Sequence, residues 1–449
     1  MITSTIGKIF LEAYNKKYST NYDAKTFFVE VYYPLFFDDN KYLMTAGNTP
    51  FENGPKIGWA KMITGKIPFE TLEERKTRYD KFLEKISLGY PTTDNAIAYA
   101  SADIVSTTSG QSTNIKYPFL EEEIYLSWIG AGLNVRTSGL LILFFDEQIL
   151  LDIFEGWKFY REMLANYKLL KGNQIETWNS HWLSFKYSKE CMELLFPTIS
   201  KNIEPCKGLY VGCNQIMSHS WTKLLIAISK YFPDSKMMGY VYDLGQTNTS
   251  IGFIPFCLDH IRKAINLYTK FFGAEESAKA EPIWGTENGF RVCCQKGAIG
   301  VKAMQPKGLK PYMTAEKGEI KFPKYREGDE EQKISFNTYQ IWLLAMLNNQ
   351  ELWDMSHEFA KALQTYVKKD KNLSTKRSNW VKDILSATSK KAFISSLSEI
   401  ASDIESFDII EKNAKEVNAM PTDNVPYFLT LIRFHYAGLD NKNNQHTNV

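Results

Sequence analysis

Three groups of residues in this chain are of types that could do chemistry. They are a glycine-rich stretch ending in lysine, a carboxylate–lysine set, and six histidines with six cysteines. Residues 47–66 read GNTPFENGPKIGWAKMITGK and place Gly47, Gly54, Gly58 and Gly65 ahead of Lys66. A phosphate-binding loop needs four residues between its glycines, then Lys, then a hydroxyl for magnesium. Here Gly58 and Gly65 enclose six residues and Lys66 is followed by Ile67, so the spacing excludes a nucleotide-hydrolysing loop. The glycines instead mark turns around a short helix expected at 57–63, with Trp59 and Met62 on its inner face. Asn48, Asn53 and Lys56 then sit in a glycine-rich loop at a helix N-terminus, where free N–H groups suit a phosphate oxygen. Contact with a nucleic-acid backbone is the expectation.

Asp234, after Pro233, with the later Glu319-Ile320-Lys321 superficially matches a metal-dependent nuclease core. This is the enzymatic alternative: a metal-dependent antiviral defence nuclease using Asp234, Glu319 and Lys321. The separation is long, and EIK lies in a lysine-rich loop. The histidines at 181, 219, 260, 357, 435 and 446 form no HxxxH or HExxH pattern, and the cysteines at 191, 206, 213, 257, 293 and 294 form no CxxC pair. No GxSxG signature occurs either. The chain is therefore expected to be non-catalytic, with no metal and no other cofactor.

Lys plus Arg total 53 against 51 for Asp plus Glu, a formal net charge of +2. Nucleic-acid contact must then come from a local patch. Residues 289–326 supply one: nine Lys and Arg stand against Glu316 and Glu319 alone. Glycines at 297, 300, 308 and 318 let backbone approach a ligand closely. Lys302, Lys307 and Lys310 are the expected contacts to duplex phosphates, and the bland alternative is a solvated lysine loop. In the turn at 245–249, the amides of Gln246 and Asn248 can read groove edges; the alternative is an ordinary hairpin turn.

These residues must be positioned by a chain of 449 residues, 44% hydrophobic and 14% aromatic, enough for a large core and two or three domains. A short amphipathic helix is expected at 6–16. The aromatic run FFVEVYYPLFF (27–37) follows, alternating imperfectly up to the turn formers Asp38-Asp39-Asn40. Residues 70–87 read as a charged amphipathic helix, and 89–118 as a long polar irregular segment. The apolar run LLILFF (140–145) is too short to span a bilayer and reads as a buried strand. An amphipathic helix follows, with Gln148, Asp152, Glu155 and Lys158 on its wet face. MMGYVYDLGQTNTSIGFIPF reads as two strands about a polar turn, and 258–272 as a helix. Residues 274–333 are rich in Gly, Pro and Lys. Beyond 335, apolar residues recur at helical spacing, with further helices at 377–389, 390–404 and 424–437 forming a bundle of about four. The fold class is α+β: a mixed N-terminal α/β domain (1–333), a C-terminal helical bundle (334–440) and a disordered tail (441–449). The N-terminus carries no signal-peptide pattern, so a soluble, cytoplasmic protein is expected.

Several patches, in order, resemble one family. Ala46-Gly47-Asn48-Thr49-Pro50-Phe51 with Gly54 is similar to a Thr-Gly-Asn-Pro-Phe motif, here with an added Thr49 and no Thr before the glycine. GAGLNVRTSGLLILFFDEQILLDIFEGWKFYREML (130–164), GQTN (245–248) and VPYFLTLIRFHYA (425–437) resemble the family's glycine-rich strand–helix segment, its Gly-Gln turn and its terminal helix. The family is the large subunit of type I CRISPR surveillance complexes (Cascade), of the Cst type found in subtype I-B. The resemblance implies a non-catalytic subunit that contacts the CRISPR RNA 5′ handle and recognises the protospacer-adjacent motif of double-stranded DNA. It also implies support of R-loop formation and recruitment of the helicase-nuclease. The partners implied are CRISPR RNA, target DNA, the backbone and handle-binding subunits and the small subunit, with no membrane. Base pairing reads the sequence in such assemblies, while protein reads a short motif and shape. Many members carry a cysteine pair for zinc ahead of the strand; this chain reads Asn134-Val135-Arg136-Thr137-Ser138 there.

Overall fold

The computed structural model describes residues 1–45, 49–51, 58–87, 96–97, 120–188, 215–234, 236–244, 249–315, 319–324, 328–370 and 372–445. The chain divides into two compact units, Met1–Asp259 with Phe290–Ile299, and His260–Gly289 with Gly300–Val449. The fold class is α+β, with a four-stranded antiparallel sheet among helices in the first unit and a helical bundle in the second.

In the first unit the N-terminal helix, Ile2–Tyr18, buries Thr3, Ile6, Gly7, Phe10 and Ala13 along one face. Ser19 ends it in the left-handed conformation at φ 55°. Its partner is the helix Glu121–Gly132, and the two cross through glycines. A Cβ on Gly7 would stand 2.1 Å from the Leu126 carbonyl oxygen, and one on Gly130 would stand 1.9 Å from that of Thr3. Only hydrogen fits at either point, so the backbones pack directly on each other.

The aromatic run at 27–37 is helical. Asp23 caps its start by accepting from the Thr26 N–H at 2.7 Å, and a π-helical turn covers Phe28–Tyr32. Phe28, Tyr32 and Phe36 follow at four-residue steps and stack, with centroids 5.3 Å and then 4.0 Å apart. That spacing belongs to a helix face, and the Tyr32 hydroxyl fixes it by donating to the Trp128 carbonyl at 2.7 Å.

The sheet order is β1-β2-β3-β4, with β1 Val135–Thr137, β2 Leu140–Phe144, β3 Lys236–Asp243 and β4 Thr249–Cys257. Ser138 and Gly139, at φ 47° and 82°, form the two-residue turn that twists β1 onto β2. Every residue of β2 is buried, as the run LLILF requires. Asp146 then caps the helix Glu147–Asn166 by accepting from the Ile149 N–H at 3.0 Å. The wet face expected on this helix is only partly wet, because Asp152 is 1% exposed. It accepts from the Tyr187 hydroxyl at 2.7 Å and pairs with Lys186 at 3.0 Å, both on the helix Ile175–Tyr187. A buried carboxylate with this many partners locks the two helices in register.

Among the described residues beyond 329 the second unit has six α-helices: Glu330–Leu347, Glu351–Lys368, Ser374–Ser386, Lys390–Ser398, Phe407–Ala419 and Val425–Gln445. The last carries residues 441–445, expected as tail, because extending a formed helix costs little once it is nucleated. Trp342, Phe359, Leu363 and Phe434 are buried in this bundle. The boundary expected at 333/334 falls inside the unit, which also takes in 260–289 and the short helical turns Val301–Met304 and Lys310–Met313. No helix among the described residues is long and apolar enough to cross a membrane.

Gly130→Ala should force the two crossing helices apart and cost about 3 kcal/mol. Gly438→Ala is the control, because its added methyl would meet only Phe336 at an ordinary 3.9 Å and should raise stability slightly through helix propensity. Urea midpoints of the two variants check the contrast.

Candidate nucleic-acid interface

The segment carrying Lys302, Lys307 and Lys310 belongs to the second unit and has two faces. Ala303, Met304, Leu309 and Met313 are buried, while the three lysines are exposed. Its backbone is tied down from the inner side. Trp342 Nε1 donates to the Val301 carbonyl at 2.8 Å, and the Tyr339 hydroxyl donates to that of Lys307 at 2.8 Å. The Gly285 N–H donates to Met304 at 2.9 Å, and the Lys307 N–H to Thr286 Oγ1 at 2.9 Å. Gly308, at φ 86°, supplies the left-handed turn between Lys307 and Lys310.

Arg433 fixes the far end of this segment. It is 2% exposed and donates to the carbonyls of Leu385 and Ala387, and at 3.0 Å to that of Tyr312. Thr430 Oγ1 donates to the same Tyr312 carbonyl at 3.3 Å. Burial lowers the guanidinium to about 10, which leaves it charged at neutral pH. One cation thus joins the helical turn Lys310–Met313 to two stretches of the bundle.

The electrostatic contrast within the unit is informative. Lys279 pairs with Glu275 at 3.0 Å and Glu330 at 2.9 Å, and Lys333 with Glu276 at 3.0 Å. Lys302, Lys307 and Lys310 have no ion-pair partner among the described residues. They form a strip of exposed ammonium groups on a fixed backbone, the arrangement that suits phosphates. Lys321 lies nearby in the chain with its ammonium 5.0 Å from the Tyr312 ring centroid. Arg291, also counted in the basic stretch, lies in the first unit and is taken up by an ion pair with Asp243.

The other expected contact residues, Asn48, Asn53, Lys56, Gln246 and Asn248, lie outside the described residues. Of the opening stretch, Thr49-Pro50-Phe51 and the helix Gly58–Ile63 are described, the latter with Met62 inward. Phe51 is fully buried, stacked on Phe37 at 4.2 Å and edge-on to Trp128 at 5.3 Å. Arg78 donates to the Pro50 carbonyl at 3.0 Å. The Pro-Phe pair is therefore an anchor in the aromatic core. Gln246 and Asn248 fall between β3 and β4, the two strands expected there.

Of the nuclease set, Asp234 is exposed in the first unit, while Glu319 and Lys321 are exposed in the second. Among the described residues no three His, Cys, Asp or Glu side chains are grouped to hold a metal ion. Sequence reading missed a hydroxyl–imidazole contact, Ser184 Oγ to His219 Nε2 at 2.6 Å. The His181 ring lies beside that of His219, tilted at 55° with centroids 4.3 Å apart, and its Nε2–H donates to the Met217 carbonyl at 2.8 Å. Burial pushes His181 down to about 4 and His219 well below the usual imidazole range. Imidazoles held neutral this firmly are weak bases, and here they tie the helix Ile175–Tyr187 to residues 217–219. No motif marks the pair, because its members are brought together only by folding.

Replacing Arg433 by Met should strand the buried carbonyls of Leu385 and Ala387, leave that of Tyr312 to Thr430 alone, and lower the unfolding free energy by on the order of 3 kcal/mol; Lys at this position should recover only part, lacking the guanidinium fork. Denaturant unfolding followed by Trp fluorescence reads both variants. Acid should destabilise the first unit through His181. Above pH 6.5 the imidazole is neutral folded or unfolded; below it the unfolded chain takes up a proton that the folded chain refuses until about pH 4. Stability should therefore fall as pH drops through that window, and fall less in His181→Gln, as urea midpoints at either end will show.

Set against other proteins, the chain matches no family model, no curated protein and no solved structure.

Proposed function

We propose that this chain is a non-catalytic nucleic-acid-binding subunit, the large subunit of a type I CRISPR surveillance complex (Cascade) of the Cst type. In this reading it contacts the CRISPR RNA 5′ handle, recognises the protospacer-adjacent motif of double-stranded DNA, supports R-loop formation and recruits the helicase-nuclease. The observation that carries the nucleic-acid part is the lysine strip. Lys302, Lys307 and Lys310 are exposed, without carboxylate partners among the described residues, on a backbone held by Trp342, Tyr339 and Arg433. Phosphate contact through such a strip positions a duplex without reading its sequence. A near-neutral chain that concentrates unpaired cations on one fixed segment is suited to binding a polyanion locally.

The specific assembly rests on the sequence resemblance. Two features of the fold support it. Phe51, last residue of the GNTPF mark, is built into the aromatic core, which accounts for an aromatic residue at that point of the motif. The helical unit fits a part that serves as, or mimics, a small subunit. Expression of a tagged chain with its neighbouring genes tests the assignment. Copurification of a uniform small RNA and a repeated backbone subunit is expected, and the absence of both would overturn it. Magnesium-dependent DNA cutting by the purified chain alone, lost in Glu319→Ala, would instead establish the nuclease alternative.

A further inference from the structure

The sheet of the first unit is buried on one face; its other face is covered at Leu141, Leu143 and Tyr242 and open along Lys236–Tyr240 of β3 and Phe253–Pro255 of β4. Met237, Val241, Ile254 and Phe256 point inward, while Lys236, Met238 and Phe253 are exposed and Tyr240 is half-buried. Tyr240 and Phe253 are register partners across the two strands, with ring centroids 5.2 Å apart at 67°. Phe145, following β2, sets a third ring 5.7 Å from Phe253. Phe253 is 59% exposed, so a ring face is available to a ligand. The Tyr240 hydroxyl donates to Ser250 Oγ at 2.8 Å, which holds that ring in place.

We infer that this open face is a stacking platform for single-stranded nucleic acid, with Phe253 and Tyr240 receiving neighbouring bases and Lys236 a phosphate. The inference rests on the nucleic-acid reading above and adds the form of the partner. Bases of any sequence present a π-face, and rings carried on a sheet lose little freedom on binding. Charge agrees: Lys236, Met238, Tyr240, Phe253 and Pro255 share the face, and the one charged group among them is a cation. Size argues against a protein partner. Met238 and Phe253 are the large apolar side chains exposed here, whereas a stable protein interface uses about 20–30 residues a side. Polar backbone and base edges suit a narrow strip better than another protein's core does.

Fluorescence anisotropy with labelled oligo(dT), oligo(U) and a blunt duplex tests the platform on the full chain. Phe253→Ala should weaken single-strand binding about tenfold, the loss of one stacked base, and leave duplex binding unchanged. Phe253→Trp should bind single strands as well as wild type, whereas Phe253→Leu, which keeps apolar bulk without a ring, should match the alanine variant. Response of either oligonucleotide supports the platform, and the stronger one identifies DNA or RNA as the natural strand. Wild type that binds neither single strand, or Phe253→Ala that binds both normally, overturns the platform. A Leu variant equal to wild type also overturns it, because binding then depends on apolar bulk and not on a ring. Duplex binding that persists while single strands fail sinks the platform alone. A wild type that ignores duplex sinks the duplex reading while ring-dependent single-strand binding still upholds the platform.

Discussion

Backbone carbonyls that no helix or strand satisfies recur in both units, and the chain meets them with buried or half-buried cations. In the first unit Lys41 donates to the carbonyls of Leu164 and Tyr167 at 3.0 and 2.7 Å, beyond the reach of the helix Glu147–Asn166's own N–H groups. Arg161 donates to those of Leu35 and Lys41 at 2.9 and 2.7 Å, with Asp39 beside it. In the second unit Arg433 does the same for Tyr312, Leu385 and Ala387. Desolvation lowers Lys41 to about 8 and Arg161 to about 10, yet each cation meets several oxygen dipoles, which a neutral side chain could not do. An unmet buried carbonyl costs about 1–3 kcal/mol, so these residues hold irregular segments as firmly as a ladder holds strands.

The same device has a functional consequence. Lysine side chains are flexible, and a strip of them is useful for binding only if the backbone beneath does not move. The segment at 300–313 has little regular structure beyond two short helical turns, and Trp342, Tyr339 and Arg433 fix it from the inner side. In the proposed phosphate-binding role its ammonium groups would keep their freedom to follow phosphates, while the main chain would need no ordering on binding. On the first unit the relation is reversed: the aromatic groups are themselves fixed by the sheet that carries them.

Legibility in the sequence followed locality. LLILFF was readable as a buried strand, and the helix after it as a helix, because each rests on contiguous patterning. FFVEVYYPLFF alternates only imperfectly because its aromatic residues at four-residue steps also fall at even spacing; the stacking of Phe28, Tyr32 and Phe36 resolves it as helix. Asp152 was expected in water because Lys186, which buries it, comes from another helix. The lysines of the strip were visible from charge alone. Their support was not, since Trp342 lies 41 residues from Val301, and Arg433 lies 121 from Tyr312. The exposed rings of β3 and β4 were counted as strand residues, and only the burial of the opposite face shows that theirs is open.

The proposed nucleic-acid role depends on contact between Lys302, Lys307 and Lys310 and phosphates. The salt dependence of duplex affinity measures this directly, because each neutralised phosphate adds about 0.9 to the slope of log K against log salt. Replacing all three lysines by alanine should reduce that slope by about 2–3 while leaving the fold intact, since none of the three side chains is buried. An unchanged slope in the triple variant would contradict the account.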